Sequence, residues 1–364
     1  MTVRTSQDFL SIASRFAMDG RGLSVEPLGS GLINDTFRVR TDGPHDYVLQ
    51  RINHAVFKDV ALLQQNIAAV TRHIRSKLAG VPDLERKVLT FIPVKDEDKN
   101  FYEDRDGSFW RMSLFIDGAR TPETVDPASS YRAGRAFGQF EAMLSDLPDT
   151  LGETIPDFHN MELRARQLHE AVAADAAGRL ADPDIRALVD AIYSCEEEMC
   201  KAERMFREGT LPKRICHCDT KVNNMLLDEN GEILCVIDLD TVMPSFVFSD
   251  FGDFMRTAGN TGAEDDPDPD RVGLDMAIFR AFAKGYIETA GVFLTPVERE
   301  NLPFSVVLFP YMQTVRFLAD YLNGDTYYKI RYPDHNRVRA FAQWKLFCSA
   351  RTHLPEMKNY IETL

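Results

Sequence analysis

Cysteine is scarce in this sequence, with six in 364 residues, which excludes a disulfide scaffold and leaves thiols that a reducing compartment would keep reduced. Positive charge is in deficit. Lys and Arg number 42 against 56 Asp and Glu, a formal net charge of −14, which argues against a nucleic-acid binder. A single nucleotide ligand is not excluded, because a few amides, one cation and a metal suffice for a triphosphate. No apolar run reaches the roughly 18–20 residues that span a bilayer. The stretch from Met1 to Phe16 carries Arg4, Asp8 and Arg15 and has no signal-peptide core. The expectation is a cytoplasmic protein with no membrane partner. Internal repeats and low-complexity tracts are also missing.

What is present is ordinary globular composition, 44% hydrophobic and 27% charged, in a chain long enough for two lobes with their own cores. Residues 7–18 read as a helix, with Phe9, Ile12, Ala13 and Phe16 on one stripe. Three β-like segments follow, 23–28, 36–40 and 47–52, separated by Gly29-Ser30-Gly31 and Thr41-Asp42-Gly43-Pro44. A helix is expected over about 59–78, from the helical spacing of Val60, Leu63, Ile67, Val70 and Ile74. Segments 88–93 and 109–116 read as two more strands around a polar hairpin, giving five strands with one long helix after the third. Beyond residue 126 the pattern is mainly helical, over 127–146, 160–208, 271–290, 296–323 and 335–350, around a β-like island at 214–242. The reading is an α+β, bilobal chain. Residues 1–116 form a small antiparallel nucleotide-binding lobe, and residues 117–364 a large, mainly helical catalytic and substrate-binding lobe.

The informative stretch is Ile215-Cys216-His217-Cys218-Asp219-Thr220-Lys221-Val222-Asn223-Asn224, followed after a hairpin by Val236-Ile237-Asp238-Leu239-Asp240. The pattern is His-x-Asp-x-x-x-x-Asn, then an apolar strand ending in Asp. Phosphoryl transfer to a hydroxyl needs these groups. A carboxylate, Asp219, orients the hydroxyl and takes its proton. A divalent ion with oxygen ligands, Asn224 and Asp238, neutralises the phosphates. A cation, Lys221, steadies the moving phosphoryl group. Asp250-Phe251-Gly252 spells a metal-binding motif, but Asp238 already occupies the metal position, so Asp250 reads as structural. Cys216 and Cys218 have no second Cys/His pair at zinc spacing and read as buried small residues.

These motifs resemble the aminoglycoside phosphotransferase and choline kinase family, which has the protein-kinase-like fold. The resemblance implies Asp219 as catalytic base and Asn224 and Asp238 as ligands of Mg2+. It also implies that Gly29, Ser30, Gly31, Asn34 and Thr36 cover the ATP phosphates, while Phe115 and Ile116 at the inter-lobe connection hold adenine. Two departures stand out. Strand three reads Tyr47-Val48-Leu49-Gln50-Arg51 where relatives carry a phosphate-binding Lys, so either Gln50 substitutes as a neutral donor or Arg51 bends inward. Cys218 occupies a position where relatives often carry Gly or Asn.

A closer resemblance, to the N-acetylhexosamine 1-kinases of this superfamily, rests on several segments. They are Gly31-Leu32-Ile33-Asn34-Asp35-Thr36, Ile237-Asp238-Leu239-Asp240-Thr241-Val242-Met243-Pro244, Arg316-Phe317-Leu318-Ala319-Asp320-Tyr321-Leu322-Asn323-Gly324-Asp325 and Tyr332-Pro333-Asp334-His335-Asn336. It implies that Arg316 and Tyr327 hold an N-acetylglucosamine or N-acetylgalactosamine whose C1 hydroxyl meets Asp219. Asp240 then assists either the metal or a sugar hydroxyl. Arg316, in an apolar helix, faces a polar cleft or pairs with Asp320 one turn on. The alternatives are a kinase of choline, homoserine or another sugar, and a nucleotide-binding pseudokinase.

Overall fold

The computed structural model describes residues 4–29, 33–122 and 125–364. Two compact units are each gathered from separate stretches of chain. The first takes Met1–Thr121, Asp146–Pro156 and Met225–Met243; the second takes Pro122–Ser145, Asp157–Asn224 and Pro244–Leu364. Segments 146–156 and 225–243 thus belong to the same unit as the N-terminal sheet, with the strands Met225–Leu227 and Ile233–Val236 forming a two-stranded sheet of their own.

In the first unit, helix α1 (Ser6–Ala13) starts from a reciprocal cap. Asp8 N donates to Thr5 Oγ1 at 3.3 Å and Thr5 N donates to Asp8 Oδ2 at 2.7 Å. The sheet is antiparallel, in the order β1 (Gly22–Pro27), β2 (Asp35–Thr41), β3 (Tyr47–Ile52), β5 (Phe109–Leu114), β4 (Tyr102–Glu103). Helix α2 (Val60–Lys77) follows β3, its first turn capped by Asp59, which accepts from Leu62 N at 2.9 Å. A short helix, α3 (Leu84–Lys87), precedes the next extended stretch.

The expected fourth strand lies elsewhere. Residues 88–93 make only one isolated bridge, Phe91 to Ser113. Pro93 has no N–H to extend a ladder, and Val94 N turns away to Lys99 O at 2.8 Å. The strand found instead, β4 at Tyr102–Glu103, lies inside the segment that read as a polar hairpin. Asp104 closes that hairpin by accepting from Asp106 N, Ser108 N and Trp110 Nε1 at 2.9, 3.0 and 2.6 Å.

Period-two alternation sorts the sheet into two faces. Tyr47 and Leu49 of β3 and Trp110 and Met112 of β5 bury against Phe16, Ile12 and Val39. Gln50 and Arg111, directly opposite each other in register, occupy the other face.

In the second unit, α4 (Pro127–Leu144) begins at an Asp126–Ser129 capping box with Pro at its first position. The expected helical stretch 160–208 divides into α5 (Met161–Ala174), α6 (Pro183–Tyr193), α7 (Glu196–Met199) and α8 (Lys201–Arg207). Asp175 and Gly178, both at positive φ, and Pro183 end the first run and start the second. The strand Arg214–Cys216 pairs with Met243–Ser245. Then come α9 (Phe248–Ala258), α10 (Met276–Ala290), α11 (Pro296–Leu322) and α12 (His335–Thr363).

Helices α4 and α10 touch through their backbones. A Cβ on Gly134 would sit 2.2 Å from Phe282 O, and one on Gly285 2.1 Å from Tyr131 O. Helix α11 corrects the expectation that no segment could span a bilayer, since by length and composition it could. The cause of its apolarity is internal: 89% of the relevant window is buried, against α12, α9 and α5.

Candidate active site

The loop after Cys216 is held from below by one carboxylate. Asp250, fully buried on α9, accepts from His217 N at 2.8 Å and from Cys218 N at 2.7 Å. Its backbone carbonyl accepts from Thr220 Oγ1 at 2.6 Å. The structural role expected for Asp250 is thereby visible, although it sits on a helix rather than in a turn. His217 is buried with its ring edge-on to Phe137 and Phe140, and Asp219 N donates to its Nδ1 at 3.3 Å. Cys218 adopts φ 62°, a left-handed conformation that strains a residue with a Cβ. Cys216 and Cys218 are both buried.

This bracing sets two polar side chains around the Asp219 carboxylate. Lys221 Nζ lies 3.0 Å from Asp219 Oδ2, and Asn224 Nδ2 donates to Asp219 Oδ2 at 3.1 Å and to Asp219 O at 2.8 Å. Asn224 belongs to a single 3-10 turn, 222–224, and is buried. Its amide nitrogen is thus committed to Asp219, while its Oδ1 remains the end suited to a hard cation. Asp253, one turn beyond Asp250, is pushed up by burial. Arg256 opposes that push at 2.9 Å and the charge of Asp219 reinforces it.

Arg316 and Tyr327 belong to the same unit. The Arg316 guanidinium lies over the rings of Phe158 and Tyr328, 5.4 and 5.7 Å from their centroids, and donates to Gln313 Oε1 at 3.2 Å. It does not pair with Asp320. Asp320 is spent on the loop that carries Tyr327, accepting from Thr326 N, Tyr327 N and Tyr328 N at 2.9, 2.8 and 3.0 Å and from Asn336 Nδ2 at 2.8 Å. Tyr327 is 66% exposed. Around Arg316 the field is positive. Burial and then the charge of Arg316 lower Arg164 to about 10, and burial with Arg316, Arg164 and Arg256 keeps His159 neutral, well below its usual range.

On the first unit's sheet, the strand-three question resolves by alternation. Arg51 turns outward and pairs with Asp35, its Nε 2.7 Å from Oδ2. Gln50 takes the opposite face, where Nε2 donates to Thr36 Oγ1 at 3.2 Å and Oε1 accepts from Arg111 Nε at 2.9 Å. Arg111 is the residue that the sequence reading missed. Its side chain is 3% exposed and forms an ion pair with Asp240, itself 3% exposed. Asn34 completes the group, donating through Nδ2 to Asp240 Oδ2 at 2.6 Å and accepting from Asn53 N at 2.9 Å. The signal lay in Phe109-Trp110-Arg111-Met112-Ser113-Leu114, where one Arg interrupts an apolar strand.

Other expected residues occupy varied places. Gly29 ends β1's turn at φ 72°. Ser30 and Gly31 lie outside the described residues. Phe115 stacks under the Arg38 guanidinium at 3.8 Å, and Ile116 packs against Leu234 and Cys235. Asp238 follows the strand Ile233–Val236 in a left-handed conformation, φ 60° and ψ 57°, at the mouth of a 3-10 turn.

The model of the phosphotransferase enzyme family matches residues 24–289. The chain belongs to that family. Solved structures share its fold along nearly the whole length. An aminoglycoside phosphotransferase from Alicyclobacillus acidocaldarius is 12% identical, with a TM-score of 0.63, covering 100% of this chain and 98% of that one. A microcompartment-associated aminopropanol kinase is 17% identical, with a TM-score of 0.58 and 97% and 99% coverage. An amicoumacin kinase, solved with AMP-PNP and Ca2+, is 13% identical, with a TM-score of 0.57 and 99% and 94% coverage. The phosphotransferase family fold is therefore the α+β arrangement seen here, an antiparallel five-stranded sheet with a large helical unit.

Proposed function

We propose that this phosphotransferase moves the γ-phosphoryl group of ATP, with Mg2+, onto the anomeric C1 hydroxyl of N-acetylglucosamine or N-acetylgalactosamine. The observation that carries the reading is the loop in which Lys221 and Asn224 converge on Asp219 above the Asp250 brace. In the reaction, Asp219 accepts a hydrogen bond from the sugar hydroxyl and takes its proton as the oxygen attacks phosphorus. Lys221 exchanges its contact with Asp219 for one with the transferring phosphoryl oxygens. Asn224 Oδ1 and the Asp238 carboxylate are hard oxygen donors of the kind Mg2+ takes, and the ion when bound neutralises phosphate charge. Arg111 supplies on β5 the cation that β3 lacks, with Gln50 and Asp240 fixing its direction. Asn34 and Thr36 belong to the same nucleotide-side network, and the AMP-PNP and Ca2+ bound to the amicoumacin kinase support nucleotide and metal use.

The sugar assignment draws on the resemblance and on Arg316 and Tyr327. A wall containing Arg164 and Arg316 opposes the alternative cationic acceptors, choline and amino alcohols, because like charges repel across a partly desolvated site. A cytoplasmic enzyme would find both ATP and Mg2+ in its surroundings. The test is phosphate transfer from ATP to N-acetylglucosamine, with NMR locating the phosphate on C1. Turnover of an amino alcohol and none of either N-acetylhexosamine rejects the acceptor. Absence of turnover across a panel of alcohols, with ATP still bound, favours a pseudokinase.

A further inference from the structure

Beneath the catalytic loop lies a group that the transfer chemistry does not use. Glu141 on α4, Asp250 on α9 and Cys216 bring their carboxyl oxygens and thiol within 4.8 Å of one another, and all three are buried. Glu141 Oε2 accepts from the hydroxyl of buried Tyr286 on α10, while Glu141 Oε1 makes no hydrogen bond as an ionised oxygen among the described residues. Asp250 is differently placed, since its oxygens already receive the His217 and Cys218 backbone N–H groups.

The groups facing Glu141 are Tyr286, Asp250, Cys216, Cys218 and Arg214, while His217 faces Asp250. Only Arg214 carries a permanent positive charge, and it is committed to Glu298 by two contacts, of 2.8 and 2.9 Å. His217 lies beside Asp250 and its charge lowers that carboxyl, whereas Glu141 has no such cation, and two adjacent buried carboxylates are not both ionised. Asp250, with two N–H donors, is the one whose anion is stabilised. Burial, then the charge of Asp250, pushes the Glu141 carboxyl well above the carboxylate range, which agrees.

We propose that Glu141 and Asp250 share one proton carried by Glu141, and that this neutral acid is a positioning residue that holds Asp250 against the backbone of residues 217–218. The acid donates to Asp250 and accepts from Tyr286, so a chain of hydrogen bonds links α10 and α4 to the loop ahead of Asp219. The effect on turnover rests on the kinase reading of Asp219; the shared proton does not.

The test has two arms. In infrared difference spectra of native protein against E141Q at neutral pH, the native protein should show the carbonyl stretch of a protonated carboxylic acid. Amide exchange at residues 217 and 218 should stay slow in E141Q, whose amide still donates to Asp250, and quicken in E141L. For turnover, E141Q should keep kcat within about threefold, while E141L should lose at least about tenfold in kcat at little cost in the KM for ATP. Absence of the acid band overturns the shared proton. An E141L kcat like that of E141Q, or an equal rise in KM, overturns the positioning role. One equivalent of a metal ion, lost in C216S, would show that the three side chains hold a cation instead. If E141L fails to fold, the infrared band and the exchange rates in E141Q still decide. If no acceptor is ever found, those same readings stand apart from the failed assay.

Discussion

Replacing Arg111 by Met tests the sheet-side network. The substitution keeps a long side chain but strips the charge from a site only 3% exposed, leaving Asp240, also 3% exposed, with Asn34 as its remaining side-chain donor. Removing one partner of a buried ion pair costs about 3–5 kcal/mol, because the other charge stays behind without compensation. The lost Gln50 contact adds about 1 kcal/mol. With a urea m-value of about 3 kcal/mol/M, at the upper end of the range for small proteins, the pair term alone lowers the midpoint by about 1–1.7 M. The expected pattern across a double-mutant cycle is distinctive. R111M alone loses most, and R111M/D240N recovers at least about 2 kcal/mol relative to the sum of the single changes, because no unpaired charge remains. Equilibrium urea unfolding of the four proteins, followed by near-ultraviolet circular dichroism, measures this directly. Stability within about 1 kcal/mol of native for R111M, or strictly additive singles, would refute the claim that this pair is coupled and buried. In the folded enzyme, R111M should also raise the KM for ATP more than it lowers kcat.

Asp219→Asn should lower turnover by orders of magnitude while ATP affinity, measured by calorimetry, stays near native; native-like turnover would remove Asp219 from the chemistry. Gly285→Ala forces a Cβ to within 2.1 Å of Tyr131 O, so α4 and α10 must separate, and a loss of about 1–3 kcal/mol or more is expected in denaturant unfolding. A pH effect belongs to Asp104. Burial raises its carboxyl, but Trp110, the Ser108 and Asp106 backbone N–H groups and Arg4 outweigh that and hold it below the usual aspartate range. A depressed folded value means that this contribution is fully present above the unfolded value and is lost as pH falls through the folded one. The stability gap between native protein and D104N should accordingly shrink on acidification below about pH 4; a gap that widens in acid would contradict the sign.

Much of this architecture could be read from residue patterns because it depends on local rules. The alternation of Tyr47 and Leu49 and the helical stripe of α2 need no tertiary information, and both appear where the pattern puts them. Strand 88–93 failed because β-propensity says nothing about donors, and Pro93 has none to give. Strand β4, two residues long, hides inside a turn stabilised by the Asp104 side chain, a tertiary contact to Trp110. Helix 160–208 was over-extended because single capping residues such as Asp175 outweigh a favourable average composition. At the site, the grouping of Asp219 with Lys221 and Asn224 could be anticipated, since the three lie within six positions of one another. Arg111 could not, because its meaning depends on Asp240, a residue 129 positions away. Likewise, the Arg316–Asp320 pairing was plausible by helical spacing, and only the loop 326–328 reveals where Asp320 is spent.

That separation has a consequence for how the chain is made. The sheet of the first unit is synthesised early, yet the anion that neutralises Arg111 arrives only with residue 240, and the strands Met225–Leu227 and Ile233–Val236 belong to the same unit. At about 5–20 residues per second, a ribosome needs roughly 6–26 s to cover the interval. During that time the nascent sheet holds a guanidinium where a folded interior is meant to form. The N-terminal third is therefore expected not to fold on its own. Fragments ending near residue 121 should behave as open, chaperone-bound chains, because the first unit is complete only once residue 243 has been made.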